Sequence, residues 1–341
     1  MSLVNVSIHP SQFPWNVRRD LLESLRLRQV NHKFHYDSVK QTAKWLALHE
    51  AYSPARTDPD CAKTYTRACE EAVRRISAGQ VEVVGLGCGG GKKDGHLLGL
   101  MRRAQKDVCY VPCDVSLAMV LEARRTVLDT LPGLDCRPLV CDLARAADLP
   151  EVVEKLLGGE GEVPGRVPSS GRKRVRLFTF FGMIPNFESG AILPLLAELV
   201  RPSDYLLLSA NLAPGSDYPA GVKKVLPLYD NALTREWLMT FLLDLGIEVT
   251  DGELSFEIQE DPTSPAVSRI EASFLFRQGR EISVEGERLG FSAGDTIRLF
   301  FSGRHTPQLM NSMLAEHGLK VLADWVTQSE EEGVFLVARS V

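Results

Sequence analysis

Between positions 85 and 91 the chain carries five glycines, Gly85, Gly87, Gly89, Gly90 and Gly91, directly after the apolar run VEVV. A chain that turns sharply at the end of a strand and lets a ligand lie against its backbone is best built without Cβ atoms. Gly85, Gly87 and Gly90 satisfy G-x-G-x-x-G to the letter, a spacing that serves NAD as well as S-adenosylmethionine and also occurs in tight turns that bind nothing. Two carboxylates narrow the reading. Asp114 ends the next apolar run and Asp142 the one after it, so an acceptor for two ribose hydroxyls and an acceptor for an adenine amino group would stand beside the glycine turn. Either aspartate alone could be a loop residue or a helix cap. On three successive strands, the turn and the carboxylates would face one adenosine.

These groups converge only if the strands are parallel neighbours. The runs beginning at Val81, Val108, Cys136, Arg176 and Tyr205 are uninterrupted and apolar, with room between them for a helix and a return, the pattern of strands buried on both faces of a parallel sheet. Helices are predicted over 117–131 and 189–200, the second stopped by Arg201 and Pro202. After Leu212 the pattern changes to a helix around 234–245, then LSFEIQED, SRIEASFLFRQ and REISVEGERLGF with strand-like alternation, then a helix over 306–317 and a closing hairpin of LKVLADWVTQ and GVFLVARSV. The first sixty residues are mostly helical, with Trp45, Leu46 and Leu48 on a packing face. The expected fold class is α/β: a doubly wound, Rossmann-like sheet over 59–219 and 302–341, with a second, smaller α+β substrate lobe from 1–58 and 220–301.

Composition sets outer bounds. The 341 residues, 44% hydrophobic and 24% charged, suit a soluble protein large enough for two lobes, and no apolar run reaches the roughly 18 residues of a membrane span. The N-terminus lacks a basic segment followed by an apolar block, so no secretory signal is expected and the expected location is cytoplasmic. A net charge of −5 gives no footprint for nucleic acid. The one short basic run, Arg172, Lys173, Arg174 and Arg176, reads as a solvated loop feeding a strand. The seven cysteines lie in or beside apolar segments and read as reduced thiols. Cys109 and Cys113 have no accompanying Cys or His pair, and no metal is expected.

GLGCGGGKK, YVPCDVS, VCDL, FFGMIPNFESG, RPSDYLLLSANL and LYDN, in this order and spacing, make the chain resemble the S-adenosylmethionine-dependent histidine Nα-methyltransferase family, whose members trimethylate histidine on the route to ergothioneine. The likeness covers most of the chain, including KFHYDSV, HEAYSPART and the GDTI turn near Asp295. It implies a class I methyltransferase domain with a substrate lobe, S-adenosylmethionine as cofactor and a small-molecule amine or amino acid as substrate; charge and hydropathy give no expectation of nucleic acid or membrane as a partner, and the oligomeric state is left open. Carried over by position, it implies a cofactor site of Gly87, Gly89, Lys93, Asp114, Cys141 and Asp142. The substrate site implied is Tyr36, Tyr52, Asn186, Tyr229 and Ser302, in which Asn186 and Tyr229 hold an amino acid's carboxylate and Tyr36 meets its amine. Tyr36 and Tyr229 would be the catalytic residues. Methyl transfer from a sulfonium has an excellent leaving group, so such a site supplies dryness, alignment and a deprotonated amine rather than a strong base. Without the resemblance, the three tyrosines read as partly buried aromatics and Asn186 as a turn residue.

Three positions depart from the family. Gly85 stands where the family has an acid near the end of the first strand, Phe300 where it has the acid that contacts imidazole, and Ala272 where it has a methionine. A phenyl ring in place of a carboxylate strands an imidazole N–H against an apolar wall. Ala272 and Phe300 are therefore expected to line an enlarged, more apolar pocket, and the expected activity is N-methylation of an amino acid or related amine other than histidine. Glu285 and Glu287 are the alternative acids if the alignment shifts around Phe300. Two other functions stay open at this point: an NAD-dependent oxidoreductase, and a non-catalytic S-adenosylmethionine-binding protein. Stabilisation by NADH rather than S-adenosylhomocysteine would mark the first, and ligand stabilisation without turnover the second.

Overall fold

The computed structural model describes residues 3–158 and 174–340. In chain order it holds β1 (Ser7–Ile8), β2 (Gln80–Leu86), β3 (Asp107–Asp114), β4 (Asp135–Cys136), β5 (Leu139–Val140), β6 (Arg174–Phe180) and β7 (Tyr205–Asn211). There follow β8 (Gly252–Glu260), β9 (Ser268–Phe276), β10 (Arg280–Val284), β11 (Glu287–Phe291) and β12 (Thr296–Arg304), and finally β13 (Leu319–Val326) and β14 (Glu332–Arg339). The main sheet runs β1-β5-β3-β2-β6-β7-β14-β13 with β4 beside β3. Its pairings are parallel as far as β7 and antiparallel beyond. The chain builds outward from β2 to β5 and then returns to β6 on the other side, and this reversal opens a crevice at the carboxyl ends of β2, β3 and β6.

The apolar runs form these strands because both faces of the sheet are covered. On β2, Val83 packs with Ala68, Leu97 and Leu98, whereas its neighbour Val84 shares a cluster with Val153, Leu193 and Leu196 on the opposite face. The helices Pro59–Arg75 and Lys92–Arg103 supply the first cover, and Leu149–Gly158 and Ser189–Leu199 the second. The smaller lobe has its own core, in which Leu22, Leu25 and Phe34 from the N-terminal segment meet Trp237, Phe241 and Phe274 from the later one.

Several expectations need correction. The third predicted strand is cut into β4 and β5 because Pro138 between them has no N–H to give the ladder. REISVEGERLGF is a hairpin of β10 and β11, turned at Glu285 (φ 44°) and Gly286 (φ 90°), both left-handed as a two-residue turn of this kind requires. The first residues do not belong wholly to the substrate lobe, since β1 extends the main sheet beside β5. Nor does a boundary fall at residue 302, because β12 pairs with β9 from Thr296 to Arg304. Of the basic run, Arg172 and Lys173 lie outside the described residues. Arg176 is buried, with Nε 3.1 Å from Glu82 and Nη1 2.9 Å from Glu154, so it is no solvated loop residue. Among the described residues the cysteines are all free, no His, Cys, Asp and Glu group is placed to hold a metal ion, and no helix is long and apolar enough to cross a membrane.

Candidate active site

A cavity of about 580 Å³ opens at the crevice. Its floor is the glycine turn, where Gly87, Gly89 and Gly91 have φ of 65°, 51° and 72°, values that L side chains rarely adopt. A Cβ on Gly91 would stand 2.7 Å from the Cα of Ala123, so the close approach of the helix Leu117–Thr130 also demands bare backbone there. The Gly89 N–H donates to Asp114 Oδ2 and the Ser116 N–H to Asp114 Oδ1, each at 3.1 Å, and each oxygen keeps a lone pair for a ribose hydroxyl. Asp142 is 4% exposed; its Oδ1 accepts from the Ala144 N–H at 3.0 Å, while Oδ2 accepts no hydrogen bond, with the Lys33 ammonium 3.3 Å away. A buried oxygen that accepts no hydrogen bond among the described residues can take one from an adenine amino group. Lys93 Nζ donates to Tyr65 Oη at 2.6 Å and lies 3.8 Å from Glu332. The six expected cofactor residues, Gly87, Gly89, Lys93, Asp114, Cys141 and Asp142, all border the cavity, and together they fit an adenosyl cofactor.

Burial pushes the Asp114 carboxyl up to about 6, against the backbone N–H groups of Ser116 and Gly89 that favour its charged form. The cofactor-free fold loses stability as pH rises from the ordinary carboxylate range through about 6, because ionisation is harder in the folded chain. A ligand whose hydroxyls donate to the ionised form reverses that preference. S-adenosylhomocysteine should therefore bind about tenfold more weakly at pH 5 than at pH 8, with proton release near pH 6. Titration calorimetry in buffers of different ionisation enthalpy reads both, and a flat affinity from pH 5 to 8 would contradict the role given to Asp114.

The substrate residues are placed less uniformly. Tyr36 and Asn186 border the cavity. The Tyr36 ring packs against Trp45 and Trp237, and burial, with the nearby Asp114 charge, holds its hydroxyl well above the usual phenol range. It is a protonated donor and not a phenolate base. Asn186 closes the short turn Ile184–Asn186, and its side-chain amide makes no hydrogen bond among the described residues. Tyr229 and Ser302 stand behind the wall, joined at 2.8 Å; Tyr229 Oη also accepts from Arg304 Nη2 at 2.6 Å and from Asn211 Nδ2 at 3.4 Å. Asn211 is the member of this network that reaches the cavity.

Beyond Tyr229 and Ser302, three more residues do not stand where the sequence puts them. Tyr52 ends the helix Val39–Tyr52, is 52% exposed and does not border the cavity. Ala272 and Phe300 do not line an enlarged pocket. They pair across β9 and β12, both buried, and the Phe300 ring packs inside the lobe with centroids 5.2 Å from His32, 5.7 Å from Trp237 and 6.4 Å from Tyr229. A bulge between Arg298 and Phe300 shifts the register of β12 there, and it is Phe301 that borders the cavity. The guanidiniums of Arg269, at 4.8 Å, and Arg298, at 5.1 Å, both lie over its ring. Sequence reasoning missed Phe301, Asn211 and Arg304; FFSGR shows the residue types, but nothing in it signals the bulge. Glu285 and Glu287 sit on the β10–β11 hairpin, paired with Arg18 and Arg26, and neither borders the cavity.

The chain matches, over residues 17–339, the model of a family described as histidine-specific, SAM-dependent methyltransferases. It is 24% identical over 336 residues to the histidine N-alpha-methyltransferase of Mycolicibacterium smegmatis, covering 95% of each chain. It is also 24% identical over 340 residues to the protein of that name from Mycobacterium tuberculosis, again covering 95% of each. Among solved structures, magnesium protoporphyrin IX methyltransferase from Synechocystis PCC 6803 with bound SAH is similar at 11% identity and a TM-score of 0.44, over 91% of this chain and 98% of that one, a likeness too loose to bear on function.

Proposed function

We propose, from the premise that this chain belongs to the family of histidine-specific, S-adenosylmethionine-dependent methyltransferases, that it methylates the amine of an α-amino acid with an apolar or aromatic side chain and not histidine. The oxidoreductase reading of the glycine turn falls with that premise. The observation that carries the proposal is Arg304. Its guanidinium is 5% exposed, donates to the Leu212 carbonyl at 3.1 Å and to Tyr229 Oη, leaves Nε without a partner, and joins no ion pair among the described residues. Buried cations are ordinarily paired. This one donates to Tyr229 Oη, which also accepts from Asn211 Nδ2 and has Ser302 Oγ at 2.8 Å; Asn211 keeps a second amide N–H at the wall, in front of the buried charge, which suits the carboxylate of a ligand.

The opposite end of such a ligand meets a different surface. Phe301 borders the cavity and Phe300 lies behind it, both in contact with His32. Among the described residues neither His32 nitrogen has a hydrogen-bond partner, and burial brings His32 down to about 3, so it is neutral and brings no charge. No carboxylate stands at Phe300 to accept an imidazole N–H.

Bound S-adenosylmethionine supplies an electrophilic methyl group. The chain's own residues hold the acceptor. Asn211 and the Tyr229 network take the carboxylate, while Asn186 and the protonated Tyr36 hydroxyl orient the amine without a charge that competes for its lone pair. Trp45 over Gly89 and Met183 over Gly87 narrow the access of water to the turn. A thermal-shift panel with S-adenosylhomocysteine present tests the proposal: L-phenylalanine, L-tyrosine and L-leucine should stabilise more than L-histidine. Histidine as the strongest stabiliser sinks the proposal.

A further inference from the structure

The acid missing at Gly85 has a counterpart elsewhere in the fold. Gly85 lies in β2, flanked in register by Pro112 of β3 and Thr179 of β6. A Cβ built on it would stand 2.3 Å from Asp94 Oδ2 and 3.2 Å from the Tyr110 hydroxyl. The Asp94 carboxylate, delivered from the helix Lys92–Arg103, therefore fills the space where a side chain at position 85 would begin. The two features exclude each other: an acid on the strand leaves no room for this one, and this one requires glycine on the strand.

Asp94 is 2% exposed and borders the cavity. Its Oδ2 accepts from Tyr110 Oη at 2.6 Å and its Oδ1 from Thr179 Oγ1 at 2.7 Å. Both donors are neutral, and no cation forms an ion pair with it among the described residues. Each oxygen keeps a lone pair, and a buried carboxylate held only by neutral hydroxyls is incomplete without a cation. Its sequence neighbour Lys93 presents an ammonium to the same cavity, held by Tyr65 and Glu332. A cation and an anion side by side match the carboxylate and ammonium of an amino-acid zwitterion, which in S-adenosylmethionine is the methionine end. We infer that Asp94, in the room vacated by Gly85, receives the α-ammonium of the cofactor, with Lys93 facing its α-carboxylate.

Two ligands separate this role from a structural one. S-adenosylhomocysteine carries the zwitterion; 5′-methylthioadenosine keeps the adenosine and thioether and lacks it. By titration calorimetry, D94N should weaken S-adenosylhomocysteine by about tenfold or more while changing 5′-methylthioadenosine by less than about twofold. In G85D/D94A the acid returns to the strand, and the preference for S-adenosylhomocysteine over 5′-methylthioadenosine should recover to within about threefold of the parent. If D94N fails to fold, this second variant carries the comparison. Equal weakening of both ligands, unchanged binding of S-adenosylhomocysteine by D94N, or a double variant without the preference would overturn the inference. Failure of the parent protein to bind either ligand would instead count against the cofactor site as a whole.

Discussion

Replacing Asp114 with alanine should lower the affinity for S-adenosylhomocysteine by about a hundredfold or more. The carboxylate sits at the end of β3 with one oxygen fixed by the Gly89 N–H and the other by the Ser116 N–H, so both remaining lone pairs are aimed before a ligand arrives. Two hydrogen bonds from ribose to a charged acceptor contribute roughly 1.5–3 kcal/mol each, and about 1.4 kcal/mol is tenfold in binding. The turn loses the acceptor of its Gly89 N–H but keeps two backbone bonds that do not involve Asp114, from the Cys88 N–H to the Cys113 carbonyl and from the Gly91 N–H to the Cys88 carbonyl, each at 3.0 Å. Calorimetry on the variant, with its unliganded melting measured in parallel, checks the value. A loss smaller than about fivefold in a folded variant would mean that the ribose lies elsewhere.

The second large effect is expected at Arg304. In Arg304→Met the KM for a carboxylate-bearing acceptor should rise by about tenfold or more, because the buried positive charge behind Tyr229 and Asn211 is lost from the carboxylate's end of the site. The decarboxylated amine with the same side chain should be used no worse than by the parent protein. Folding should survive, because the change removes a buried cation that has no ion-pair partner among the described residues and leaves no counter-charge stranded. Comparing L-phenylalanine with phenethylamine under steady-state conditions reads the difference directly. A merely structural Arg304 would depress both acceptors alike, and that outcome would remove the charge basis of the amino-acid reading.

The parts of this protein legible in its sequence are those governed by local pattern. Val83 and Val84 face opposite helical layers, so β2 is apolar on both faces apart from Glu82, which pairs with Arg176, and announces itself as a strand. The glycine turn is legible because positive φ at Gly87, Gly89 and Gly91 excludes other residues, and Asp114 because it ends an apolar run. What escaped is tertiary. Gly85 reads as a lost acid until Asp94 is seen filling its place. Ala272 reads as an opened pocket until the strand pairing brings the Phe300 ring opposite it; each substitution is visible alone, and their mutual compensation is not. The bulge that puts Phe301 on the wall and the lack of an ion pair to Arg304 among the described residues depend on the packing of strands far apart in sequence. Tyr52 was placed by its motif, yet its helix ends with that side chain in solvent.

The central claim is that an S-adenosylmethionine-dependent methyltransferase of this family here acts on an amino acid other than histidine. A competition assay tests it most directly: equimolar L-histidine, L-phenylalanine, L-tyrosine and L-leucine in one reaction with S-adenosylmethionine, with products identified by mass spectrometry. Relative product yields then give ratios of kcat/KM. N-methylated phenylalanine, tyrosine or leucine should exceed methylated histidine by about a hundredfold, the discrimination expected where no carboxylate stands at Phe300 to accept the imidazole N–H. Methylated histidine as the dominant product would contradict the account.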